Sequence, residues 1–350
     1  MPTIIELLSA RRPQDDEPRL ADAPVVSVLH QVGPAASVDQ VFALVDAQRR
    51  LGLRADVHTL ADTTRAQTFP GRPDILHVHC ASSASGDAGL AGRARVVVLA
   101  PRSTRLGPLS PGTHVIAETQ QHAGALVRNG VPETSVHVVL PAVPADACRL
   151  AGREPSRGPG FVVGILAAQQ PAGWVRSAVE ALLPVVGRRP GAEIWLGGAA
   201  ALAATADWTP SGAVPTATQA TSLPTVHRMV SVAAAAVGRM DVVVCLDQSV
   251  MLPPPLLSAM QLRRPIVASR VGACREVLDN GVSALLVGPT DTAALVASVT
   301  RLVRRPVERA TLGGAAAEVA ALQHAPMRVA GRLAHLYEHM IAEADATQVA

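Results

Sequence analysis

The chain alternates between two hydrophobic periods. Short apolar runs of strand length recur at Val25–Leu29, Ala55–Leu60, Asp74–Cys80, Val96–Ala100 and Val115–Ala117, with Val136–Leu140 last. Between the first two, Val38, Val41, Phe42, Val45 and Leu51 keep helical spacing. Ser37 followed by Gln40 predicts a capping box at the start of that helix. Arg49 and Arg50 followed by Gly52 predict its end. A second predicted helix starts near Thr119 and stops at Asn129-Gly130.

The polar, Gly- and Pro-punctuated stretch 151–160 reads as a linker. The alternation then resumes, with predicted strands at Phe161–Leu166, Ala192–Gly198, Val242–Leu246, Pro265–Ser269 and Ala284–Val287. Predicted helices cover Trp174–Val186, Thr225–Gly238, Pro255–Leu262 and Asp291–Arg305. Residues 199–224, rich in Ala, Thr and Pro, give no clear period. A last helical region runs from about Gly314 to Ala342, with a kink at Pro326.

Strands alternating with helices specify α/β domains with parallel sheets. Two such series predict a tail at 1–22, one Rossmann-like domain at 23–152, a second at 153–312, and a C-terminal helix, 313–350, packing back on the first. In doubly wound sheets ligands bind beyond the carboxyl ends of the strands, so the cleft between the domains is the expected site.

Composition narrows the chemistry. Lys and Arg together number 31, and all are Arg. Without Lys there is no P-loop of the GK[ST] type, no Schiff base and no kinase strand lysine. Anions must be met by Arg, backbone N–H groups or helix N-termini. The core must be built from Ala, Val, Leu and Ile, because only three Trp, three Phe and one Tyr are present. So few aromatics also argue against stacking on single-stranded nucleic acid, and a net charge of +3 indicates no polyanion partner. Cys80, Cys148, Cys245 and Cys274 have no metal-type spacing and read as free thiols of a reducing compartment. No signal peptide or membrane span is predicted, so the expectation is a cytoplasmic protein.

Several segments together carry a resemblance. Arg72-Pro73-Asp74-Ile75-Leu76-His77-Val78-His79 and Arg128–Glu133 stand in the first half. In the second half, Arg239–Val244, Leu257–Met260, Arg264–Ser269, Val271–Val277 and Asn280-Gly281 follow in order. These resemble the GT-B glycosyltransferases, specifically the retaining family 4 (group 1) set, over nearly everything from Val25 to Arg305. The resemblance implies two Rossmann-like domains facing across a cleft. It implies transfer of a sugar or sugar-like cyclitol from a nucleotide-activated donor to a small-molecule or glycan acceptor, with no cofactor and no metal.

The family's donor contacts are altered here. Its ribose-binding Glu falls on Ser258 and its sugar-binding Glu on Val250. The Gly-rich turn between them is Met251-Leu252-Pro253-Pro254-Pro255, and the Arg/Lys loop is the uncharged 167–173. The N-domain His falls at Pro101, and the first Gly-rich loop keeps Gly33 but continues with Pro34. Hydrogen bonds to charged groups contribute roughly 1.5–3 kcal/mol each, so these losses amount to roughly 5 kcal/mol, or a thousandfold in donor affinity. The remaining candidates for donor binding are Gly33, Arg102, Ser249, Met251, Leu252, Ser258 and Arg270. Each Arg (Arg102, Arg105, Arg270, Arg275) either takes over phosphate binding or is simply solvated. Asp247 either reaches a donor hydroxyl or caps a turn. His77 and His79, two apart on a strand, share a face. They are either a hydrogen-bonded structural pair or metal ligands lacking a visible third, and His79 doubles as a catalytic candidate. The same substitutions leave open an inactive GT-B scaffold partnering a second, active GT-B chain, or a two-domain binding protein.

Overall fold

The computed structural model describes residues 26–33, 37–59, 71–79, 90, 92–152, 160–168, 170–206, 224–229 and 231–349. The tail 1–22, Cys80 and most of the linker lie outside them. The first domain contains β1 (Ser27–Val32), α1 (Val38–Arg50), β2 (Arg54–Thr59), β3 (Ile75–His79), β4 (Val96–Ala100), β5 (Thr113–Ala117), α2 (Gln120–Arg128), β6 (Val136–Val138) and α3 (Ala145–Leu150). Its strands form one parallel sheet in the order β2-β1-β3-β4-β5-β6.

The second domain begins with β7 (Val162–Leu166), α4 (Ala172–Val186), β8 (Glu193–Gly197), α5 (Ala199–Ala204), β9 (Thr225–Met229) and α6 (Ala234–Arg239). It continues with β10 (Val242–Cys245), α7 (Pro254–Gln261), β11 (Ile266–Ser269), α8 (Ala273–Val277), β12 (Leu285–Val287) and α9 (Thr292–Arg304). Its sheet is also parallel, ordered β12-β11-β10-β7-β8-β9. Strands β7, β10, β11 and β12 are buried along their whole length, as expected when helices cover both faces of a sheet.

Two expectations are corrected. Residues 225–238 do not form one helix. Thr225–Met229 is an edge strand on β8, with Trp195 opposite His227, and only Ala234–Arg239 is helical. The β-branched Thr225 and Val226 fit a half-exposed pleat, and pairing with β8 overrides the helical spacing. The capping box at α1 does not form either. Ser37 is the N-cap without a side-chain bond, and Gln40 Nε2 instead donates to the Ala142 carbonyl at 3.0 Å.

A helical crossover joins the domains. Helix α10 (Pro306–Val319) packs Ala316 into the second domain's core. A π-helical turn, Ala320–His324, follows, and Pro326 starts α11 (Pro326–Val349). Val329, Ala330, Leu333, Ala334, Tyr337 and Met340 of α11 then enter the first domain's core with Val28, Ile75 and Val98. The break at Pro326 is the expected kink, since proline lacks the N–H needed to continue the ladder. At the crossing, the Val143 N–H donates to the His324 carbonyl at 2.9 Å, and His324 Nδ1 lies 2.8 Å from the Pro141 carbonyl oxygen.

Candidate functional site

In each sheet the strand order reverses at one point, between β1 and β3 in the first and between β7 and β10 in the second. A crevice opens at such a switch point beyond the carboxyl ends of the strands. Cavities occupy both places.

The second domain's cavity is lined by Leu166, Ala167 and Ala168 after β7, by Asp247, Ser249 and Met251 after β10, and by the prolines that start α7. Gly197-Gly198, at the end of β8, forms its floor. A Cβ on Gly198, whose φ is +95°, would collide with the Ala167 carbonyl, so only glycine lets the two turns touch. Arg102 reaches this cavity from the first domain and is the single cation among its described lining residues.

Asp247 is buried, and its Oδ1 accepts from the Ala168 N–H at 2.8 Å, tying together the turns after β7 and β10. Ser249 Oγ accepts from the Met251 N–H at 3.0 Å. Met251 and Leu252 are buried, so apolar bulk occupies the turn between positions 250 and 258.

A seam of hydrogen bonds crosses from the first domain to this turn. Arg102 Nη1 donates to Glu118 Oε1 at 2.8 Å, and Glu118 Oε2 accepts from the Leu252 N–H at 2.9 Å. Thr119 serves both domains at once. Its hydroxyl accepts from the His122 N–H at 3.0 Å as the N-cap of α2, and donates to the Val250 carbonyl at 2.6 Å. Glu276 of α8 accepts from Gln120 N–H and Gln121 N–H at 2.7 and 2.8 Å, placing a carboxylate at the positive end of α2.

The sequence candidates therefore separate. Arg102, Ser249 and Met251 share one cavity with Asp247. Leu252 lies in the core, and Ser258 is buried inside α7, its hydroxyl donating to the Pro254 carbonyl at 3.2 Å. Arg270 follows β11, and its Nη2 donates to the Leu286 carbonyl at 3.0 Å. Arg105 and Arg275 are exposed. The Gly33 N–H donates to the His79 carbonyl at 3.1 Å, closing the end of β1 onto β3. The seam residues Glu118, Thr119 and Glu276 were not legible as a group. Thr119 was readable as a helix start, but its partner lies 131 positions away.

The first domain's cavity is mostly apolar, walled by α1 and α11 and by the strand ends, with His77 and His79 in its wall and Arg102 and Glu118 at the side nearer the second domain. Beneath it three imidazoles stack: His77 on His79 with ring centroids 4.2 Å apart, and His30 at 5.2 and 5.1 Å from the two. The parallel register sets this, because His30 of β1 stands opposite His77 of β3 and alternate residues share a face. His30 Nε2 donates to Gln48 Oε1 at 2.7 Å, and His30 Nδ1 lies 2.8 Å from His79 Nε2. His77 Nδ1 lies 2.6 Å from the Tyr337 hydroxyl, while His77 Nε2 is buried without a partner. An unpartnered buried polar atom costs roughly 1–3 kcal/mol.

Burial holds all three rings neutral. It pushes His30 down to about 4, against the opposing bond from Gln48. Burial, then the neighbouring imidazoles, push His77 and His79 well below the usual histidine range. The described cysteines, Cys148, Cys245 and Cys274, are free.

Comparison with known proteins agrees with this architecture. Residues 161–305 match the family described as glycosyl transferases group 1. No curated protein matches the sequence. Among solved structures, a glycosyltransferase from Rickettsia africae is 12% identical, with a TM-score of 0.65 over 91% of this chain and 99% of its own. Sucrose-phosphate synthase from Thermosynechococcus elongatus is 15% identical, with a TM-score of 0.59 over 91% and 100%. Anabaena HepE in complex with UDP and glucose is 14% identical, with a TM-score of 0.56 over 89% and 99%. At these identities the likeness is one of fold. The chain has the GT-B fold, and its second domain is similar to the group 1 glycosyl transferases over residues 161–305. No helix among its described residues is long and apolar enough to cross a membrane.

Proposed function

We propose that this chain transfers a sugar or sugar-like cyclitol from a nucleotide-activated donor to a small-molecule or glycan acceptor, in the cytoplasm, through a donor site rebuilt around Arg102. The observation that carries the reading is the position of Arg102. It projects from the acceptor-side domain into the cavity at the second domain's switch point, where the group 1 match lies. Its bond to Glu118 engages one nitrogen of a five-donor fork and fixes the orientation of the rest. A guanidinium held this way suits bidentate contact with a diphosphate, and it stabilises the charge that develops as the diphosphate leaves. The Asp247–Ala168 bond keeps the cavity floor in place. That HepE was solved with UDP and glucose makes UDP-glucose the first donor to try.

The experiment is calorimetry and turnover with a panel of nucleotide sugars on wild type, Arg102→Lys and Arg102→Ala. Removing a charge-assisted contact weakens donor binding by roughly 1.5–3 kcal/mol, or about 10- to 150-fold, with partial retention in the Lys variant. Equal donor affinity in wild type and Arg102→Ala would rule out the Arg102 assignment. One observation favours a second reading. The turn at 250–252 is buried and bonded to the opposite domain, where a donor sugar would need room. In that reading the chain is an inactive scaffold that pairs with an active GT-B chain. It predicts no donor binding and co-purification of such a chain.

A further inference from the structure

We propose that His30, His77 and His79 form a binding site for a divalent transition metal of the zinc type, with its open position toward the first domain's cavity. The three donor nitrogens lie within 4.8 Å of one another, at the switch point between β1 and β3. A tetrahedral centre with metal–nitrogen bonds of about 2.0–2.1 Å separates its nitrogens by about 3.3 Å. The observed spread, from the 2.8 Å His30–His79 contact up to 4.8 Å, brackets that value. Binding needs His30 and His79 to part by about half an ångström.

The arrangement outside the triangle is what distinguishes it from a packed histidine cluster. His30 and His77 each present one nitrogen to the centre and have the other held from behind, His30 Nε2 by Gln48 Oε1 and His77 Nδ1 by the Tyr337 hydroxyl. Metal-ligating histidines are oriented by outer partners of this kind. His77 Nε2 is buried and has no hydrogen-bond partner, so a metal there would satisfy a ring nitrogen that the protein leaves unpaired. Because Gln48 Oε1 can only accept, His30 carries its proton on Nε2 and offers a lone pair at Nδ1. His79 Nε2–H then donates to that lone pair. On metal binding the His79 proton moves from Nε2 to Nδ1, the ring stays neutral, and no net proton is released.

Two of the three rings line the cavity, so the fourth position faces space able to admit water or an oxygen atom of a bound ligand. Three imidazoles select zinc, cobalt, nickel or copper over magnesium and calcium, which prefer oxygen ligands. The inference stands apart from donor binding, since none of its residues lines the second domain's cavity.

The test uses full-length protein stripped with a chelator and titrated with cobalt(II), followed by zinc displacement. Expected are one equivalent bound, the visible absorption of four-coordinate cobalt, and its loss on adding zinc. His77→Phe should abolish the band and weaken binding by more than the about 10–100-fold expected for an outer partner. Absence of a stoichiometric site in wild type would overturn the proposal. So would a band that survives His77→Phe, which would assign binding to surface pairs such as His339 with Glu343. Circular dichroism monitors folding of the variant. If His77→Phe does not fold, Tyr337→Phe decides, because it keeps the ring and removes only the hydroxyl. An affinity about 10–100-fold lower supports the site, and an unchanged affinity overturns it.

Discussion

Replacing Thr119 with valine removes a single hydroxyl and leaves the volume almost unchanged, and the structure says that two domains feel it. The residue is fully buried, so solvent does not compensate either lost contact. As the N-cap of α2, its oxygen satisfies the His122 N–H, and loss of such a cap costs about 0.5–2 kcal/mol. Its O–H also satisfies the Val250 carbonyl of the other domain, and orphaning a buried acceptor costs roughly 1–3 kcal/mol. The two share one atom but serve different partners, so Thr119→Val should lose about 2–4 kcal/mol. For a chain of 350 residues that corresponds to a Tm lowered by roughly 3–5 °C. Thr119→Ser keeps the oxygen and should recover most of the loss. Urea and thermal unfolding measure the stability, and hydrogen exchange locates it. The Leu252 amide, bonded to Glu118 across the same seam, should exchange faster in Thr119→Val than in wild type. A change below about 0.5 kcal/mol, typical of a neutral surface site, would refute the reasoning. A Ser variant as unstable as the Val variant would do the same, since methyl packing rather than the hydroxyl would then carry the effect.

Two further outcomes follow from the crossover and the turn. Gly272 has φ +69°, and a Cβ there would run into the Ser249 carbonyl, so Gly272→Ala should destabilise by roughly 1–3 kcal/mol and displace the 249–252 turn, visible as altered amide shifts or donor affinity; unchanged stability would show that the turn yields freely. His324 is buried and pushed down to about 4, first by burial and then by Arg332, against the opposing Pro141 bond. Its unfolded value is about 6.5, so between these pH values the unfolded chain binds the extra proton and stability must fall as the pH drops. The full loss is about 3 kcal/mol, complete near the folded value and absent above the unfolded one. In urea titrations across that window, His324→Gln should show a shallower pH slope, and parallel slopes would exclude His324 as the group responsible.

Local chemistry made most of the fold readable. Apolar runs such as Val96–Ala100 become strands because burying both faces of a parallel sheet needs continuous hydrophobes. Helices with built-in ends, such as α9 between the capping Asp291 and the closing Arg301 and Arg304, match their expected spans closely. The 225–238 segment was misread because its strand depends on an edge offered by β8, which no local window contains.

The site divides in the same way. Sequence order places Val250, Ser258 and the cation-free 167–173 where the resemblance expects donor contacts, and the altered donor site they suggest belongs to the proposed function. His77 and His79 could be placed on one face by period alone. What the tertiary structure alone decided is which groups meet. Parallel pairing of β1 with β3 brings His30 to the pair, and the returning helix α11 brings Tyr337 from 260 positions away. Domain apposition sets Arg102, Glu118 and Thr119 against the 250–252 turn. Residue type and period fix what a chain can bury and in which element. Long-range contacts depend on how distant elements stack, and that is settled only when the sheets, the crossover and the seam form together.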